Sequence, residues 1–203
     1  MKAALSLIML AALLLGYFEA RAQDNVLDSP TGGGYAIVAT LAGGYARYIM
    51  PYDAGIDIDR DGAVVSARLL WYSDHRLRMG LESGWTRFYS YQLTDVETSF
   101  GRTDASLSLS AIPVLAVFSM AVGSAVVLYG GAGGYFVRSH ATSFGTTVDV
   151  TRFSQGWMAA VSYDYTVAAA LRIGAELKWY GATEFGDGVV TMQLRVPIVL
   201  MTW

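Results

Sequence analysis

No cysteine occurs anywhere in the 203 residues, so the chain can be neither a disulfide scaffold nor a lipid-anchored lipoprotein. Histidine is nearly as scarce, with two residues, which leaves little for general acid–base work. Charge is thin at 15% and the net charge is -3, so no basic footprint for nucleic acid exists. Beyond the first residues no apolar run approaches the length of a membrane-spanning helix. Yet 54% of the residues are hydrophobic and the mean hydropathy is +0.38, too greasy for an ordinary secreted domain. A chain of this composition can enter a bilayer only as strands. The 22 glycines and 13 tyrosines fit a β-rich chain with aromatic girdles.

The start of the chain has the form of a secretory signal peptide. Met1-Lys2 is a minimal basic region, Ala3 to Gly16 is apolar, and Ala20-Arg21-Ala22 is a small-x-small cleavage pattern. The apolar run falls short of the ~20 residues that a spanning helix needs. Cleavage after Ala22 is therefore expected, and export to the cell outer membrane with it. The expected organisation is a signal peptide over 1–22, a periplasmic lead over 23–34 and one β-barrel domain over 35–203.

The remainder reads as strands of period two. The first is Tyr35 to Met50, with Val38, Thr40, Ala42 and Gly44 forming a small-residue face suited to an interior. Pro51 to Gly62 is a polar loop. Ala63 to Tyr72 is the second strand, turning at Ser73 to Arg76 into a third from Leu77 to about Leu93. A loop over Thr94 to Asp104 precedes a fourth strand, in which Leu107, Leu109, Ala111, Pro113, Leu115 and Val117 oppose Ser106, Ser108 and Ser110. After a turn near Ala121 to Ser124, the fifth strand, Ala125 to His140, carries Gly130-Gly131-Ala132-Gly133-Gly134, which permits curvature in a narrow barrel. A loop over Ala141 to Thr151, a sixth strand over Phe153 to Asp164, a turn at Tyr165 to Val167, a seventh strand over Ala168 to Tyr180 and a loop over Gly181 to Gly188 lead to a last strand, Val189 to Trp203. Connections alternate long and short, as in an eight-stranded antiparallel up-and-down transmembrane barrel with both termini in the periplasm.

A soluble eight-stranded barrel would turn its apolar face inward. The charges argue for the opposite direction. Arg78, Glu82, Arg172, Glu176 and Lys178 lie opposite the apolar faces Leu77, Met79, Leu81 and Leu171, Ile173, Leu177, Trp179. Arg or Lys on a lipid face would cost about 2 to 4 kcal/mol near the midplane. These residues, with Arg68 and Arg195, are expected in the lumen, where opposite signs pair and plug an interior just wide enough for side chains. An internal repeat supports the arrangement: Leu77-Arg78-Met79-Gly80-Leu81-Glu82 recurs as Leu171-Arg172-Ile173-Gly174-Ala175-Glu176, and Ile112-Pro113-Val114-Leu115 as Val196-Pro197-Ile198-Val199.

The last strand changes phase. Counting back from Trp203 reaches Met201, Val199 and Pro197, then Arg195 and Gln193, so one residue must be inserted if Leu194 and Trp203 both face lipid. Proline lacks the N–H of a ladder, which places a β-bulge at Arg195 to Pro197. The competing reading keeps one register and turns Trp203 inward.

The Leu-Arg-x-Gly-x-Glu strand, the Ile-Pro-Val-Leu strand followed by Tyr129-Gly-Gly-Ala-Gly-Gly-Tyr135, and the aromatic final residue resemble the small outer-membrane β-barrel proteins of the OmpA-like and PorT-like type, over almost the whole mature chain. The resemblance implies a non-enzymatic barrel, monomeric, surrounded by outer-membrane lipids and inserted by the barrel-assembly machinery. It brings no cofactor and no catalytic residues. The function expected is structural, or interaction and adhesion through the extracellular loops and a ligand there. The alternatives are a lipid-modifying enzyme of the lipid A deacylase type and a small-solute pore or export component. For the enzyme, His75 sits in a turn beside Asp74, and His140 has Ser139 and Ser143 near it but no obvious orienting acid. Asp57, Asp59 and Asp61 could offer oxygens to calcium, but a full loop motif is missing and a solvated loop fits as well.

Overall fold

In a computed structural model the described residues are 35–49, 58–73, 77–98, 101–122, 125–168, 171–182 and 188–203. The segments read above as signal peptide and periplasmic lead, residues 74–76 of the expected turn with His75, and Asp57 lie outside them. Eight strands form: β1 Ala36–Ile49, β2 Asp61–Tyr72, β3 Leu77–Thr98, β4 Gly101–Val122, β5 Val126–Ser143, β6 Thr146–Ala168, β7 Leu171–Ala182 and β8 Gly188–Thr202. Each pairs antiparallel with the next, and β8 pairs with β1, so the sheet closes into a barrel.

Alternation decides what each strand turns where. In β2, Val64, Ser66, Arg68 and Leu70 are buried, while Val65, Leu69 and Trp71 are exposed. The same division runs around the ring. Leu81 is 62% exposed, Met192 64% and Leu194 69%, values that no water-soluble barrel would present in a continuous belt. The belt is capped by aromatic residues at both ends: Tyr45, Trp85, Phe136, Phe153 and Trp157 at one, Tyr35, Trp71, Tyr165 and Trp203 at the other. Leu77 to Trp85 in β3 and Trp157 to Tyr165 in β6 are each close to the ~9–11 residues that a tilted strand needs to cross a bilayer. The outward surface is built for lipid.

Several expected boundaries shift. Thr94 to Asp104 and Ala141 to Thr151 are not long loops: β3 and β4 run on to Thr98 and Gly101, and β5 and β6 meet at a two-residue turn, Phe144–Gly145. Both turn residues have positive φ, 51° and 71°, the geometry of a type I′ hairpin. Tyr165 to Val167 belongs to β6 rather than to a turn, β7 starts at Leu171, and β2 starts at Asp61. Above the belt both faces of a strand meet water, so the oily/polar alternation that marks a strand vanishes while β-branched residues such as Thr146, Thr147, Val148 and Val150 still favour extended backbone.

The face of β4 is also resolved. Leu109, Ala111, Leu115 and Val117 point inward and are buried, whereas Ile112, Val114, Phe118 and Met120 are exposed to the outside. Both faces of this strand are apolar below Ser110, so the sequence pattern alone could not orient it.

The bulge in β8 exists, but not at Arg195 to Pro197. Register with β1 is continuous from Gly188 to Val199 and shifts between Ile37 and Val38, leaving Leu200 without a partner. Beyond it Met201 pairs with the outward Ile37, and Trp203 exchanges backbone hydrogen bonds with Tyr35. The Trp203 ring lies 6.1 Å from that of Tyr35, which lies 6.1 Å from Trp71, so Trp203 faces outward. Pro197 requires no bulge because the β7 register ends at Gly174↔Arg195; past that point β8 is a local edge, where a missing N–H goes unmissed. Its repeat counterpart Pro113 likewise falls in a gap of the β3–β4 register, between Ser83↔Val114 and Thr86↔Ala111.

Candidate functional site in the lumen

Period-two alternation carries Arg68 on β2, Arg78 and Glu82 on β3, Arg172, Glu176 and Lys178 on β7 and Arg195 on β8 to the inner face. Six of the seven are buried to 6% exposure or less; Arg172, near the end of β7, is half-buried. The two glutamates are the repeat-related pair, and β3 and β7 stand on opposite sides of an eight-membered ring. They face each other across the axis and share two cations. Arg68 Nε donates to Glu82 Oε2 at 2.6 Å, while its two terminal nitrogens donate to the two oxygens of Glu176 at 2.9 Å each. Lys178 Nζ lies 2.8 Å from Glu82 and 2.8 Å from Glu176. Tyr180 donates its hydroxyl to Glu82 at 2.7 Å.

Toward the short-turn end, Arg195 donates to Tyr129 Oη at 2.7 Å and Ser162 Oγ at 2.6 Å, and reaches Glu176 and Asp164 at 3.3 Å. The Tyr129 ring carries the Arg68 guanidinium 4.1 Å from its centroid. Charged pairs this deep are tolerable only when nearly every donor and acceptor finds a partner; the shared bridging geometry meets that demand for Arg68, Lys178, Glu82 and Glu176, whereas Arg195 Nε and Asp164 Oδ1 face each other without a hydrogen bond. Arg78 differs: it stacks on Tyr72, with its guanidinium 4.1 Å from the ring centroid and 3.2 Å from the hydroxyl, and reaches no carboxylate among the described residues. Arg172 also makes no ion pair among the described residues.

The lumen is not polar throughout. Above the charges sit Tyr135, Met158, Val64, Val189, Leu109, Tyr48 and Phe88, all buried, with the Tyr48 and Phe88 rings 6.1 Å apart and stacked. The interior is thus closed twice, by an ionic layer and by an apolar one.

Outside the lumen, β3 to β6 continue beyond the aromatic belt as a raised sheet. There His140 Nδ1 lies 2.9 Å from Asp149 Oδ1, with Arg138 3.4 Å from the same oxygen. Asp149 is the acid that sequence reading did not find, since it becomes the cross-strand partner of His140 only through the tight turn. Ser108 is the partner of His140 on the other side, completing a Ser–His–Asp row. The Ser108 hydroxyl makes no hydrogen bond to the ring, so the row lacks the contact that activates a nucleophile. The hydrogen bond from His140, with Arg138 beside it, holds the exposed Asp149 carboxyl below the usual aspartate range. Ser139 does not join this row, being the neighbour of Leu109 on the other face. Asp59 and Asp61 are engaged by arginines, Asp59 with Arg87 and Asp61 with Arg47, each at 3.4 Å. No group of three acidic, His or Cys side chains suited to a metal ion occurs among the described residues.

The barrel is similar to the crystal structure of Ail, the attachment invasion locus protein of Yersinia pestis, with a TM-score of 0.52, 17% identity and coverage of 82% of this chain and 99% of that one. The fold is that of a small outer-membrane β-barrel. Other outer-membrane barrels align with it over similar lengths: the N-terminal β-barrel domain of OprF from Pseudomonas aeruginosa at 13% identity, 81% and 99% coverage and a TM-score of 0.48, and Neisserial surface protein A at 18%, 82% and 97%, and 0.40. No family model matches the chain, and no curated protein sequence matches it.

Proposed function

We propose that this protein is a non-enzymatic outer-membrane barrel that holds a stiff sheet above the membrane as an interaction surface. The lumen serves as a rigid plug rather than a route for solutes. The observation that carries this reading is the unequal length of the strands. β5 and β6 pair without interruption from Val126↔Tyr163 to Ser143↔Thr146, but β7 meets β6 only from Gly156 onward. The segment Thr146 to Ser154 therefore has no strand on its second side among the described residues. The hairpin pairs Ser143 with Thr146 across a two-residue turn, so Thr147, Asp149, Thr151 and Phe153 direct their N–H and C=O groups away from β5. An edge of this kind accepts an extended segment of another protein by strand addition. The protein is a monomer in the outer-membrane lipid, inserted by the barrel-assembly machinery after cleavage behind Ala22.

The test compares attachment of cells displaying the protein with cells displaying Thr151→Pro, which removes one edge-facing N–H and leaves the β5 ladder intact. Attachment to an extracellular-matrix surface should fall while the barrel keeps its different gel mobility before and after boiling. Undiminished attachment by the variant, or equal attachment by cells lacking the protein, would overturn the reading.

A further inference from the structure

The short-turn end of the lumen holds a cation that no carboxylate among the described residues neutralises. Arg78 is 6% exposed, and among the described residues it is the one buried cation without a carboxylate partner. Its Nε has no hydrogen-bond partner. Its neighbour across the β3–β4 ladder is Ser119, 2% exposed, whose hydroxyl also has no partner. Leaving a charged donor and an adjacent hydroxyl both unmet in a buried place is costly, unless something absent from the chain meets them. The wider charge balance points the same way. Among the described residues Arg68, Arg78, Lys178 and Arg195 are four buried cations against two buried carboxylates, Glu82 and Glu176, and the half-buried Arg172 and Asp164 offset each other, so four minus two leaves two positive charges over.

The repeat adds a second cation at the equivalent place. Arg172 stands to Glu176 as Arg78 stands to Glu82, four residues nearer the short-turn end, on the opposite wall of the ring. It is inward by phase, half-buried, and without an ion pair among the described residues. Two guanidinium groups thus flank the mouth, one of them next to a free hydroxyl.

We propose that the short-turn mouth of the lumen is a binding site for a small oxyanion, with Arg78 as its primary ligand, Ser119 as a hydroxyl donor and Arg172 as a second cation. A tetrahedral or planar oxyanion suits this set because the guanidinium donates along two parallel directions and the hydroxyl along a third. The chemistry is that of a phosphate group, either free or on a lipid headgroup. This site lies at the end of the barrel opposite the raised sheet and does not depend on the interaction proposed above.

The test uses the mature protein in nanodiscs of digalactosyldiacylglycerol, a lipid without phosphate, with the Arg78 Nε–Hε resonance followed while inorganic phosphate is added at constant ionic strength, and chloride as the control. Phosphate should shift the resonance saturably and chloride should not. Ser119→Ala, which keeps the charge and removes the hydroxyl, should weaken the midpoint severalfold, as should Arg172→Gln. A resonance already at its shifted position in phosphatidylglycerol discs without added phosphate also supports the site and identifies a lipid headgroup as the source. Absence of any shift in either lipid, or an equal unsaturating drift with phosphate and chloride, would overturn the proposal. So would midpoints in Ser119→Ala and Arg172→Gln that match the parent.

Discussion

Replacing Glu176 by Gln should cost more stability than replacing Glu82 by Gln, although the two residues occupy equivalent places in the repeat. Glu82 shares both of its cations with Glu176, so Glu82→Gln leaves Arg68 and Lys178 each with one carboxylate. Glu176→Gln removes the bidentate partner of Arg68 and one partner of Lys178, and leaves Arg195 only Asp164 at 3.3 Å. Breaking a buried ion pair from one side costs about 3 to 5 kcal/mol; the shared cations put Glu82→Gln near the lower figure and Glu176→Gln near the upper. Replacing Arg68, Glu82, Glu176 and Lys178 together by apolar residues of similar volume should cost far less than either single change, because the two cations and two carboxylates leave together and Arg195 keeps Asp164. Urea titration in lipid vesicles, with the folded fraction read from unboiled gel mobility, measures all three. Losses under about 1 kcal/mol for both single variants would show a lumen wet enough to behave like a protein surface, and the argument from burial would fail.

On the outward face, Leu81→Arg should destabilise the folded barrel in vesicles by about 2 to 4 kcal/mol, as expected for a cation near the bilayer midplane, whereas Val150→Arg in the raised sheet should be nearly neutral; similar costs at both positions would remove the distinction between belt and sheet. Because the Asp149 carboxyl is held below its ordinary value, first by the hydrogen bond from His140, the His140–Asp149 contact stabilises the hairpin above the usual aspartate pKa of about 3.9 and is lost as pH falls through the lower folded value. Carboxyl-carbon NMR should place the Asp149 midpoint below that of a free aspartate and return it toward the ordinary range in His140→Ala; an unmoved midpoint would discount the contact.

Inside the belt the sequence was readable because lipid on one side and a packed lumen on the other impose strict alternation. Arg68, Glu82, Glu176, Lys178 and Arg195 were legible for the same reason: a charge in an otherwise apolar strand has only one face to go to. Which carboxylate each cation takes was not legible, since partners such as Arg68 and Glu176 are 108 residues apart and meet only when the ring closes. Above the belt, alternation ends, so Ala141 to Thr151 looked like a loop and the Asp149 partner of His140 stayed hidden. The phase break in β8 was visible, but its position was not, because Pro197 lies at a local edge created by barrel stagger rather than by the residues around it.

The most direct test places single spin labels in this cysteine-free chain and measures collision with oxygen, which concentrates in lipid, and with a water-soluble nickel chelate. Labels at Leu69, Leu81 and Leu194 should collide with oxygen and not with nickel, a label at Gln193 should meet neither, and labels at Thr147 and Val150 should meet nickel. Nickel access at Leu81 or Leu194 equal to that at Val150 would contradict a barrel whose outward belt lies in lipid and whose β5–β6 hairpin stands above it.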